Sequence, residues 1–240
     1  MKMQSFLAVF LLFGVAFLAI ADTTPMHIDY GKNPSIYAGE DKDVEMKYER
    51  VLMHISKALN SVKAEFVMFN SGEAKDLTVG FPGAYPDDMF DFHVTEDGQE
   101  KSIQAVTTED NIHPLSKKPI YWHIWTTHFD AHAEKNIAVK YAVNILTEDQ
   151  SYYSGLLFDK RGLISKIHGL RVTGYILTTG ARWAGPIHRA EIVVELDGIK
   201  QDAVKVVQPD GARRVNDKIE WVFQSLKPNE DVVIAFVPND

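Results

Sequence analysis

Apolar and polar residues alternate with a period of two along most of this chain, the mark of strands with one buried face. A run from Glu45 ends with Val51, Met53 and Ile55 in phase, and after a turn at "SKALNS" the positions Val62, Ala64, Phe66 and Met68 are in phase again. Leu77, Val79 and Phe81 make a further strand, stopped by "PGAYPDD", and Phe90, Phe92 and Val94 alternate up to "EDGQE". Within that segment Asp97-Gly98 predicts a hairpin, because a primed turn demands positive φ. Ile103 and Ala105 resume the alternation, and a loop with Pro114 and Pro119 follows. An aromatic-rich strand is expected from Ile120 to Phe129, a turn at "AEKN", and another strand through Ile137, Val139, Tyr141 and Val143. Helical periodicity is confined to the neighbourhood of Leu156 to Ile167.

The second half repeats the pattern. Val172 to Thr179 and Ala190 to Leu196 read as strands, Asp210-Gly211 as a turn, and "KIEWVFQSLKPNEDVVIAFVP" as two strands about Leu226-Lys227-Pro228. Short strands at regular spacing predict an all-β fold, an antiparallel β-sandwich with a second, smaller C-terminal β-unit. The expected division is residues 22–147 for the sandwich, 148–165 for a linker and 166–240 for the C-terminal unit. Between two of the later strands lies "TTGARWAGPIHRAEIVVELDG", where Gly180 and Gly185 permit tight geometry and Pro186 disfavours a helix. The stretch is expected to form a corner with Trp183 capping the core; the alternative is a surface platform of Trp183, Arg182 and His188.

The first 21 residues break the pattern. Lys2 precedes an apolar run from Phe6 to Ile20, and Ala19-Ile20-Ala21 fits the small-x-small requirement of a signal peptidase. Cleavage after Ala21 and export are expected, to the periplasm, the cell envelope or the medium of a bacterium, with no integral membrane segment left after cleavage. The chain has no cysteine, so core burial must hold it together without disulfides, and thiol chemistry is excluded. Its net charge of -8 argues against nucleic acid or anionic lipid as partner, since both demand a basic patch.

No nucleophile elbow, zinc-protease helix motif, phosphate loop or EF-hand sequence occurs, and no cofactor is expected. His128, Asp130 and His132, at i, i+2 and i+4 in "YWHIWTTHFDAHAEK", would share one face of a strand and are the candidate metal ligands. A strand rise of about 6–7 Å per same-face step separates the two histidines too widely for one ion without a bend. Trp122 and Trp125, with Tyr121, are a candidate sugar-stacking surface, since the adjacent Tyr121 and Trp122 point to opposite faces; core packing with one edge aromatic is the alternative. Asp87-Asp88 and Glu96-Asp97 could contribute to a calcium site, although turn formation explains them equally. Tyr152 and Tyr153 read as interface filler.

The segment "VEMKYERVLMHISKALNSVKAEFVMFNSGEAKDLTVGFP", with its turn at Asn70 and Gly72 and its stop at Phe81-Pro82, resembles the opening of exported bacterial proteins classed as a domain of unknown function. Tyr175, Thr179, Gly180, Trp183, Gly185 and Ile187 match a second element of the same proteins, and the first part is also similar to the β-sandwich domain of vault proteins and inter-α-trypsin inhibitor heavy chains. The resemblance implies fold and export, and assigns no activity or functional residue. The expectation is a non-enzymatic exported protein that binds an envelope protein or surface polysaccharide. The alternatives are a secreted metal-dependent hydrolase built on His128, Asp130 and His132, and a structural subunit of an exported complex.

Overall fold

The computed structural model describes residues 22–29, 35–83, 89–112, 119–147 and 169–238. The leader, the Asp87-Asp88 pair, Tyr152, Tyr153, the expected linker and the helical stretch near Leu156 lie outside them. The chain is all-β, with seventeen strands among the described residues arranged in three sheets.

The largest sheet is built on a long hairpin of β3 (Val44–Ile55) and β4 (Leu59–Asn70). In β4 the alternation is complete, with Val62, Ala64, Phe66 and Met68 all inward at 3% exposure or less. On the β4 side follow β10 (Glu134–Asn144), β6 (Met89–Glu96) and β7 (Gln99–Glu100). The β6–β7 turn has φ of 48° at Asp97 and 83° at Gly98, the double positive φ expected from the sequence.

On the β3 side follow β13 (Ile187–Leu196), β16 (Lys218–Leu226) and β15 (Arg213–Val215). Among the described strands every pair is antiparallel except β13 with β3, which runs parallel from Arg189 opposite Tyr48 to Leu196 opposite Ile55. One sheet therefore takes strands from both sides of the expected linker.

The second sheet orders β2 (Ser35–Ala38), β1 (Thr24–Asp29), β5 (Lys75–Gly83), β9 (Pro119–Phe129) and β8 (Gln104–Ile112). Both faces of β9 are covered. Trp125 and Phe129 enter the main core, while Trp122 and Ile124 pack with Met26 on the other side. The third sheet holds β11 (Leu146–Thr147), β12 (Arg171–Tyr175), β17 (Val232–Phe236) and β14 (Val204–Gln208). Every residue of β17 is buried, with Val232, Ile234 and Phe236 in the main core and Val233 and Ala235 in a second cluster. That explains its continuous apolar run where half-buried strands alternate.

Two local expectations are corrected. Strand β9 ends at Phe129, and the chain turns at residues 130–133 rather than at "AEKN", with His132 at φ 53°. The expected strand from Val172 to Thr179 stops at Tyr175 and passes into a 3-10 turn, Thr178–Arg182. Asp231, just before β17, makes that turn favourable: its carboxylate accepts from the amides of Leu177 and Thr178, at 3.0 and 3.1 Å, and from the Thr178 hydroxyl at 2.9 Å.

Candidate functional site

The corner after β12 is a packed joint. Trp183 is 3% exposed, its indole N–H donates to the Thr23 carbonyl at 2.7 Å, and its ring meets Phe129 edge-on at 6.3 Å. The Ala184 amide donates to the Val44 carbonyl, and Gly185 takes φ 69° as the chain enters β13. Arg182 donates to the Ala38 carbonyl at 3.3 Å, and His188 is exposed beside Glu45 at 3.3 Å. With the indole inside, these three side chains form no aromatic platform. Trp122 is likewise fully buried; of the adjacent pair, Tyr121 is the partly exposed member.

The His128, Asp130 and His132 trio does not share a strand face, because only His128 belongs to β9. Its Nδ1 lies 2.7 Å from Asp76 and its Nε2 3.3 Å from Asp130. The hydrogen bond to Asp76 raises the imidazole above its ordinary range. Among the described residues no group of three or more His, Cys, Asp or Glu side chains is placed to hold a metal ion.

A cleft of about 890 Å³ opens where β9 and β5 face the β6–β7 hairpin. Ile124, Trp125, Thr126 and His128 of β9 and Thr78 of β5 line one side; Gln99, Glu100, Lys101 and Ser102 line the other, with Gln104 of β8 and Lys135 of β10 at the margins. Its fixed point is Glu96, 7% exposed and in phase with Phe92 and Val94. One carboxylate oxygen accepts from the Trp125 indole N–H at 3.1 Å and from the buried Thr127 hydroxyl; the other meets the Lys101 ammonium at 3.2 Å. A buried carboxylate is tolerable when hydrogen bonds and a cation compensate its lost hydration, and these three partners do so here.

Asp97 anchors the hairpin itself. It accepts from the Asn136 amide at 3.0 Å and faces Lys135 at 3.3 Å, and the Asn136 backbone bond, ahead of the Lys135 charge, holds its carboxyl below the ordinary range. Glu96 and Asp97 are thus engaged with protein donors and do not form an open calcium shell. The cleft combines amides, hydroxyls, two ammonium groups and one indole edge, a set suited to orienting a polar ligand by many hydrogen bonds. Of these residues sequence reasoning passed over Lys101, weighed Glu96 only for calcium and Trp125 only for sugar stacking, and joined none of them into one network. The parity of Glu96 with Phe92 and Val94 was the available signal for an inward carboxylate.

No protein family profile and no curated protein matches the chain. Among solved structures, a candidate nutrient-binding protein of Legionella pneumophila superposes with a TM-score of 0.64 over 91% of this chain and 70% of its own, at 14% identity. That likeness is one of fold. The M1 zinc metallopeptidase of Deinococcus radiodurans aligns over 83% of this chain and 43% of its own at 9% identity, with a TM-score of 0.39, too weak a superposition to bear on fold or activity.

Proposed function

We propose that this chain is an exported, non-enzymatic binding protein and that its ligand is a surface polysaccharide held in the cleft between β9 and the β6–β7 hairpin. The observation that carries the reading is the cleft itself: an open, hydrogen-bonding surface of about 890 Å³ organised around the Glu96, Lys101, Trp125 and Thr127 network. Its volume falls in the range of about 300–1,000 Å³ typical of ligand sites. Of the two partners considered, an envelope protein and a polymer of sugars, the polymer suits this lining better. Gln99, Ser102, Gln104, Thr78 and Thr126 supply donors and acceptors for hydroxyl groups, whereas the core of a protein interface is enriched in large apolar anchors. A binding role agrees with the description of the Legionella protein of similar fold. Export rests on the apolar leader and the Ala19-Ile20-Ala21 signal, with the mature chain beginning at Asp22.

The test is retention on purified cell-surface polysaccharide. A triple variant, Gln99→Ala, Ser102→Ala and Gln104→Ala, is expected to lose at least about tenfold in retention, since several hydrogen bonds of about 0.5–1.5 kcal/mol each are removed. Its melting temperature should stay within about 2 °C, because these side chains lie at the surface. Undiminished retention by the folded variant would exclude the cleft as the binding surface.

A further inference from the structure

The start of the described chain is among its most buried parts: Asp22, Thr23 and Thr24 have no exposed surface. The backbone N–H of Asp22 donates to the Thr179 hydroxyl, and Thr23 accepts from Trp183. Gly180 makes room for this docking, because a Cβ there would stand 2.2 Å from Asp22 Oδ2. Around Asp22 gather Glu49 of β3 and Asp231 as charged neighbours, with Tyr175 of β12 and Tyr141 of β10 close enough to feel its charge. Asp231 is occupied by the 3-10 turn, and one oxygen of Glu49 accepts from the Tyr175 hydroxyl at 3.0 Å. Asp22 Oδ2 and Glu49 Oε2 are buried without a hydrogen-bond partner. Two buried carboxyl oxygens beside a third acid, with no donor for either, leave a deficit of about two hydrogen bonds and one positive charge.

The geometry points to the amino group released at Asp22 on leader removal as the missing partner: an internal ammonium that neutralises Glu49, so that processing completes the core. The inference rests on the export reading above. Hydrolysis of the Ala21–Asp22 bond adds water across it, leaving a carboxylate on Ala21 and an ammonium on Asp22. The peptide nitrogen has one N–H, spent on Thr179; the ammonium has three, which supplies the two absent donors together with the charge. An unperturbed α-amine titrates near 7.7–8.0, so it is largely protonated at pH 7, and an adjacent carboxylate holds it so to higher pH. Before cleavage the site is unbalanced and this corner is weak.

Two chains of otherwise native sequence test this, residues 22–240 with a free amino terminus and residues 21–240, in which Ala21 moves the amine one residue away. The 22–240 chain should melt about 5–10 °C higher at pH 7, because in 21–240 Glu49 must take up a proton or stay charged without its counter-ion. Glu49→Gln should erase that difference by lowering 22–240 while shifting 21–240 by no more than about 2 °C. Acetylating the amine of 22–240 should reproduce the loss without touching the core, which keeps the test decisive should the Glu49 variant not fold.

The pH profiles should also differ. With no counter-ion, burial pushes the Glu49 carboxyl up to about 8. The folded 21–240 chain then holds this proton more tightly than the unfolded chain does, and stability declines as pH rises from about 4.5 toward 8. In 22–240 that decline should vanish, and stability should instead fall as the amine deprotonates. Equal melting of the two chains, or an equal effect of Glu49→Gln in both, overturns the inference. The mass of the exported protein separates the two failures. A terminus other than Asp22 removes the cleavage site and the inference together, while a terminus at Asp22 with equal melting removes the inference alone.

Discussion

Glu96 and Glu49 occupy equivalent places in two different strands. Each is set in phase with the apolar face of its strand, Glu96 with Phe92 and Val94 and Glu49 with Val51, Met53 and Ile55, and each is buried. Around Glu96, an indole N–H, a hydroxyl and a lysine ammonium meet both oxygens. Around Glu49, one tyrosine hydroxyl meets one oxygen, and the charged neighbour Asp22 is itself an acid. The first carboxylate is compensated within the described chain and sits at the floor of a cleft. The second is not, and the deficit lies beside the residue where the mature chain is expected to begin. A buried charge is informative through the partners it has or lacks, more than through its burial.

The strongest way to break this comparison is to remove the compensated acid. Glu96→Ala leaves the Trp125 indole, the Thr127 hydroxyl and the Lys101 ammonium without their acceptor, and a cost of about 3–5 kcal/mol in chemical denaturation is expected. A cost below about 1 kcal/mol would show that the network is incidental to the fold. A smaller effect should come from Tyr175→Phe, which deletes the one donor of Glu49: about 1–3 kcal/mol is expected. Because the Tyr175 hydroxyl draws the Glu49 carboxyl downward, its loss should extend to higher pH the declining limb of stability in the 21–240 chain. The smallest effect belongs to the exposed pair on the cleft rim. Asp76→Asn should leave the melting temperature unchanged within error. It should move the His128 titration, followed by NMR, down toward the ordinary histidine range, since Asp76 is the main cause of its elevation. An unmoved titration would assign that elevation to Asp130.

How far the sequence could be read follows from how local each feature is. The β3–β4 hairpin, the Asp97-Gly98 turn and the last two strands were legible because alternation and turn chemistry act over a few residues. Strands β1 and β2 went unread, since they are four to six residues long and owe their pairing to each other and to β5. The metal trio failed on a one-turn error: His132 adopts positive φ, ending a strand whose alternation looks continuous on paper. The network at the cleft was illegible because Glu96, Trp125 and Lys101 are joined across two sheets; Glu96 and Trp125 were each weighed for separate chemistry, and only the parity of Glu96 hinted that its carboxylate turns inward. The same hint existed for Glu49.

The sequence by itself determined the strand content, the inward face of most strands, the sites of several turns and a leader-like start, because each depends on neighbours within one strand or turn. Tertiary structure decided that β13 runs parallel beside β3, that the 3-10 turn receives Asp231, and that Asp22, Glu49 and Asp231 converge. Those pairings join residues far apart in the chain. They depend on which strand edges and which buried oxygens remain unsatisfied once every local preference has been met.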